Sequence, residues 1–63
     1  MFTVKEILNI KDYKELVGQK VYYVKESYGI HTVESYDETT GLYKLNLDGQ
    51  RFYSTPNKLI KVK

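Results

Sequence analysis

The chain has no cysteine and no tryptophan, and only one proline and one histidine among its 63 residues. Without cysteine there is no disulfide, no thiolate zinc site and no thiol nucleophile, and a reducing, cytoplasmic home is expected. A chain this short buries only about 60% of the surface its unfolded form exposes, so a marginal fold has no covalent support to lean on. With His31 alone, multi-histidine metal sites are excluded as well. Long apolar runs are also missing. The opening "MFTVKEILNIKDYKEL" is repeatedly cut by charge, which predicts neither a signal peptide nor a membrane span.

Charge of one sign is scarce in total but unevenly placed. The net charge is +2, too small by itself to imply a polyanionic partner. Residues 1–20 carry four lysines against three acids, and residues 21–49 two lysines against five acids. Residues 50–63 hold Arg51, Lys58, Lys61 and Lys63 with no acid.

Length fits a single domain over 1–63, with a helical segment at 1–17 packed on a β-rich body at 18–63. Thr3 with Glu6, and Asp12 with Glu15, have the spacing of a capping box, so two short helical turns are predicted. Val4, Ile7 and Leu8 share a face in the first, and Tyr13, Leu16 and Val17 in the second, with Gly18 as the stop. An edge strand over "MFTVKEI" is the alternative, because its residues also alternate.

From Gly18 the period becomes two. "QKVYYVKES", "IHTVESY", "LYKLNL" and "QRFYST" read as strands, with "DETTG" turning between the second and third. Asp48-Gly49 is the strongest hairpin signal, since both central positions of a type I′ turn need positive φ. Pro56 closes the fourth strand, "NKL" makes a 3₁₀ turn, and "IKVK" is a fifth strand with Ile60 and Val62 inward.

This order of elements resembles the SH3-like small barrels, most closely their Tudor- and KOW-like branches. The resemblance rests on "TVESYDETTGLYKLNLDG" at 32–49 and "NKLIKV" at 57–62, and covers roughly residues 18–63. It implies a mainly β fold, a five-stranded barrel preceded by a short helical segment, and a binding module rather than an enzyme. In Tudor-like readers of methylated side chains, aromatics form a cage at the barrel mouth. Here Tyr22, Tyr23, Tyr28, Tyr36 and Tyr53 are available, without the tryptophan of such a cage. The Lys-, Tyr-, Ile- and Asn-heavy composition also resembles small accessory proteins of phages or mobile elements, which implies action on one host protein.

Catalysis has little to work with. Strict alternation puts Ser35 on the face of His31, yet nothing supplies an oxyanion hole, and His31 reads as an exposed strand residue. Asp37, Glu38 and Asp48 read as solvated turn acids rather than metal ligands. No cofactor is expected. Seven tyrosines are the feature that asks for an explanation. A small core uses Tyr for apolar area, but in "VYYV" and "FY" one aromatic of each pair must point away from it.

Two functions follow. In the first, a Tyr-rich surface with the acidic 34–38 turn docks on another protein as an adaptor or inhibitor. In the second, Lys61 and Lys63 lie beside Lys20 and the outward tyrosine, and lysines interleaved with aromatics bind nucleic acid. The candidate binding residues are Tyr22, Tyr28, Tyr36, Tyr53, Lys20, Arg51, Lys58, Lys61 and Lys63.

Overall fold

The structure is a computed structural model and describes residues 2–7 and 10–62. Five strands form one antiparallel sheet: β1 (Lys20–Tyr23), β2 (Ile30–Asp37), β3 (Leu42–Leu47), β4 (Gln50–Ser54) and β5 (Leu59–Lys61). Their order is β4-β3-β2-β1-β5, so the sheet is open and β4 and β5 are its edges. The fold is mainly β, and the strand pairings stop short of a closed barrel.

The Asp48-Gly49 turn forms as its sequence demands. Asp48 and Gly49 hold φ at 52° and 88°, Leu47 pairs with Gln50, and the Gly49 amide donates to Asn46 Oδ1 at 2.9 Å. In the turn between β2 and β3 the Gly41 amide donates to the Asp37 carbonyl at 2.7 Å. Asp37 Oδ1 accepts from the Thr39 amide and hydroxyl at 2.9 and 2.6 Å.

The core is small: Val4, Leu16, Val21, Val33, Tyr43, Leu45 and Leu59 are fully buried. Tyr13, Tyr23 and Tyr36 pack against it. Simple alternation breaks within β2. Between Val33 and Ser35 the β2–β3 register shifts, leaving Glu34 as a bulge. A bulge flips the phase of everything beyond it, so Tyr36 rather than Ser35 joins the inward face and pairs with Tyr43. Ser35 therefore lies on the face opposite His31, and the only arrangement that suggested a serine nucleophile is undone. Nor is His31 exposed. It is 4% exposed and sits inward between Val21's strand and β3.

The last strand is shifted by one residue from its expected phase. Leu59 pairs with Tyr23 and is the buried residue, while Ile60 pairs with the outward Tyr22 and Val62 is only half-buried. Lys61, opposite Val21, shares the phase of Leu59. The 3₁₀ turn is correspondingly Pro56–Lys58, not 57–59.

At the N-terminus both readings hold in part. Thr3 makes a single bridge to Ile60, and the chain then enters a helical turn, α1 (Val4–Ile7). Glu6 Oε2 accepts from the Thr3 amide at 3.3 Å, half of the expected capping box. The second segment, Ile10–Leu16, is 3₁₀. Its repeat of three stacks Tyr13 over Leu16 and turns Val17 outward, where it is exposed. Leu8 and the side chains of Ile7 and Asp12 lie outside the described residues. No helix of the described residues is long and apolar enough to cross a membrane.

Candidate functional site

The inward face of the sheet is not filled at one end. There Tyr23, Tyr28, His31, Leu47, Phe52 and Tyr53 surround an open cavity of about 290 Å³. Each wall has a local cause. Tyr23 ends β1 on the inward phase of Val21, and Leu47 and Phe52 share the phase of Leu45. Tyr28 arrives from the β1–β2 loop, because β1 breaks at Val24 where strand propensity predicts continuation to residue 27.

Val24 holds φ at 61°, an unusual value for a β-branched residue. The Lys25 amide donates to the Tyr23 carbonyl at 2.6 Å, so Val24 centres a tight three-residue turn of the rare positive-φ kind. The Val24 amide is anchored on the Lys58 carbonyl at 2.6 Å. A short 3₁₀ turn, Glu26–Tyr28, then ends at Gly29 with φ 89°, and brings the Tyr28 ring to 6.2 Å from that of Tyr23.

His31 is the cavity's polar wall. Its ring lies 6.2 Å from Tyr23 and 5.9 Å, edge to face, from Phe52. Nδ1 is 3.1 Å from the Gly29 carbonyl, and since a carbonyl only accepts, Nδ1 carries the proton. In the neutral form of the ring Nε2 is then the acceptor. No side-chain nitrogen or oxygen among the described residues is buried without a partner, so Nε2, which has no protein hydrogen bond among them, opens on the cavity.

The expected site residues do not gather in one place. Tyr28 walls the cavity, and Tyr53, on the outward phase of β4, borders its edge. Lys20, Tyr22, Arg51 and Tyr53 share the outward phase of the sheet, but β2 and β3 stand between the first pair and the second. At about 4.8 Å per strand that is roughly 14 Å. Tyr36 lies at the other end of the core, its ring 4.6 Å from Tyr43, beside a wider depression of about 380 Å³ that Lys5, Tyr13 and Pro56 also line. Lys58 is in the closing 3₁₀ turn and Lys61 on the phase opposite Lys20. Lys63 lies outside the described residues.

The acids of 34–38 are engaged within the molecule. Glu34 accepts from Arg51 Nε at 3.0 Å and Glu38 pairs with Lys14 at 2.6 Å. The Asp37 carboxyl is held below its ordinary range by the Thr39 hydroxyl and amide. Among the described residues no three metal-ligating side chains gather.

Sequence reasoning offered Tyr23 only as one of five possible cage aromatics and passed over His31, Leu47 and Phe52 as binding residues. Alternation from Val21 and Tyr43 assigns Tyr23, Leu47 and Phe52 to the inward face, but nothing local tells an inward residue that fills the core from one that rims a gap. Comparison with known proteins adds no relative: no protein-family model, curated protein or solved structure matches the chain.

Proposed function

We propose that this is a small non-catalytic binding module that docks on another protein by taking one of its side chains into the aromatic cavity. The observation that carries this reading is the convergence of Tyr23, Tyr28 and Phe52 on open space, with Tyr53 at its edge. Tyr28, Phe52 and Tyr53 are 54%, 43% and 66% exposed. A 63-residue chain has little apolar surface to leave unburied, and aromatics at a concave site are where partner side chains bind most strongly. The volume of about 290 Å³ lies at the small end of ligand pockets and has room for a single side chain.

The strand order, with a 3₁₀ turn before β5, also supports reading the sheet as an SH3-like barrel of the Tudor or KOW kind. That likeness favours a binding role by analogy alone. Nucleic acid has weaker support, because the outward cations and tyrosines form two separated pairs, Lys20 with Tyr22 and Arg51 with Tyr53.

The test is an amide-shift titration with N-acetyl-tryptophanamide, and separately with a single-stranded oligonucleotide at low salt. Saturable shifts at residues 23, 28, 31, 47 and 52 with the first probe, lost in Tyr28→Ser, are expected. Saturation by the oligonucleotide alone, around Lys20 and Tyr22, would replace this reading with the nucleic-acid one.

A further inference from the structure

Beside the cavity runs an unpaired strand edge, and its free backbone groups can be assigned. The two-residue turn fixes the parity: the Gln50 amide bonds back to Leu47, the first and last residues of a tight turn. In an antiparallel ladder the bonded residues alternate, so Gln50, Phe52 and Ser54 face β3, and the amides and carbonyls of Arg51 and Tyr53 point outward. Neither Arg51 nor Tyr53 makes any other backbone hydrogen bond among the described residues. Residues 50–53 are all exposed, and no strand flanks β4 on that side.

We infer that β4 receives an extended segment of the protein partner as an added antiparallel strand, which seats one aromatic side chain of that segment in the cavity. The inference rests on the cavity being the binding site, as proposed above, and specifies how a partner reaches it. An antiparallel strand exchanges both backbone bonds with Arg51 and again with Tyr53. The partner residue opposite Phe52 then points inward, next to the Phe52 ring and into the cavity. There His31 Nε2 offers an acceptor, so a tryptophan or tyrosine, which brings a donor on an aromatic body, is the fitting occupant.

Charge complementarity fixes the neighbouring residue. Arg51 uses only Nε toward Glu34, leaving its terminal nitrogens without a partner among the described residues, and residues 50–63 contain no acid. The partner residue opposite Arg51 lies outward beside that guanidinium, where a carboxylate pairs with it. The recognised segment is therefore an extended stretch with an acid next to Trp or Tyr.

The experiment uses a fluorescein-labelled peptide, Thr-Thr-Val-Trp-Glu-Val-Thr, in which the acid follows the tryptophan and so falls opposite Arg51 in an antiparallel pairing, read by anisotropy against the full chain. Saturable binding is expected. N-methylation of the peptide's Glu removes a bond to Arg51 and should weaken binding by about tenfold or more, whereas N-methylation of its Trp, whose amide faces away, should leave it nearly unchanged. On the protein side, Arg51→Pro should lose binding well beyond Arg51→Ala. Proline is tolerated where an edge amide faces solvent, so the fold should survive, and the methylated peptides give the same test without altering the protein.

Binding insensitive to both methylations, with the tryptophanamide shifts intact, would overturn strand addition and leave the cavity reading standing. Absence of binding by peptide and tryptophanamide alike would overturn both. A dimer in sedimentation that Arg51→Pro dissolves, without peptide binding, would give the edge to a second copy and overturn the inference.

Discussion

Val24 carries the most strained backbone that the structure shows outside glycine and the Asp48 turn. Positive φ costs a β-branched residue on the order of 1–3 kcal/mol, against about 0.4–1 kcal/mol for the added freedom of glycine in the unfolded chain. Val24→Gly should therefore raise the melting temperature, and an unchanged or lower value would show that the turn is not strained. Tyr43 is the residue with the clearest pH consequence. Burial first, and then the neighbouring Tyr36 and Tyr13, push its phenol well above its ordinary value, and its hydroxyl donates to the Tyr13 carbonyl at 2.6 Å. A raised folded-state pKa gives stability that is whole below the unfolded value, near 10, and is lost as pH climbs toward the folded one. Tyr43→Phe should cost about 1 kcal/mol at neutral pH and flatten the alkaline limb of a stability-pH curve. A limb as steep as the parent's would mean other groups cause it.

At the scale of elements, what was legible in the sequence follows from how strongly local chemistry dictates structure. β3 begins and ends where "LYKLNL" does, because alternation and the Asp-Gly turn agree. Gly49→Val, with no atom near its missing side chain but φ at 88°, should cost about 1–2 kcal/mol from backbone strain alone; an unchanged chemical-denaturation midpoint would contradict a type I′ turn. β5 was less legible. "LIKV" alternates in either phase, and only the pairing of Leu59 with Tyr23 chooses between them. Leu59→Ala should accordingly cost about 2–5 kcal/mol, while Val62→Ala costs far less. Comparable losses in thermal melts would restore the phase read from sequence. The bulge at Glu34 has no local signature, since nothing in "TVESYD" marks where the register slips, and it alone moves Ser35 away from His31.

Across the whole molecule, the radius of gyration is 10.4 Å, close to the roughly 10.6 Å expected of a compact chain of this length. Val4 and Leu16 bring the N-terminal helical segments into the same core as the sheet. Apolar periodicity could announce that core and could require some tyrosines to point outward. It could not reveal the cavity, which depends on three separate events: the break at Val24, the return of Tyr28, and the edge position of Phe52 and Tyr53. Tyr28 and Tyr53 stood among the candidate binding residues, but which tyrosines are exposed, and their company with His31 and Tyr23, was not legible, because residues distant along the chain meet only through strand order. The central claim is that a partner's aromatic side chain enters this cavity from the β4 edge. The most direct measurement is a set of intermolecular nuclear Overhauser effects in the complex with the Trp-Glu peptide. Contacts from the indole protons to the rings of Tyr28, His31 and Phe52, with peptide backbone protons near Arg51 and Tyr53, are the result expected. Indole contacts to Tyr22, Ile30 or Ile60 on the outward face would contradict it.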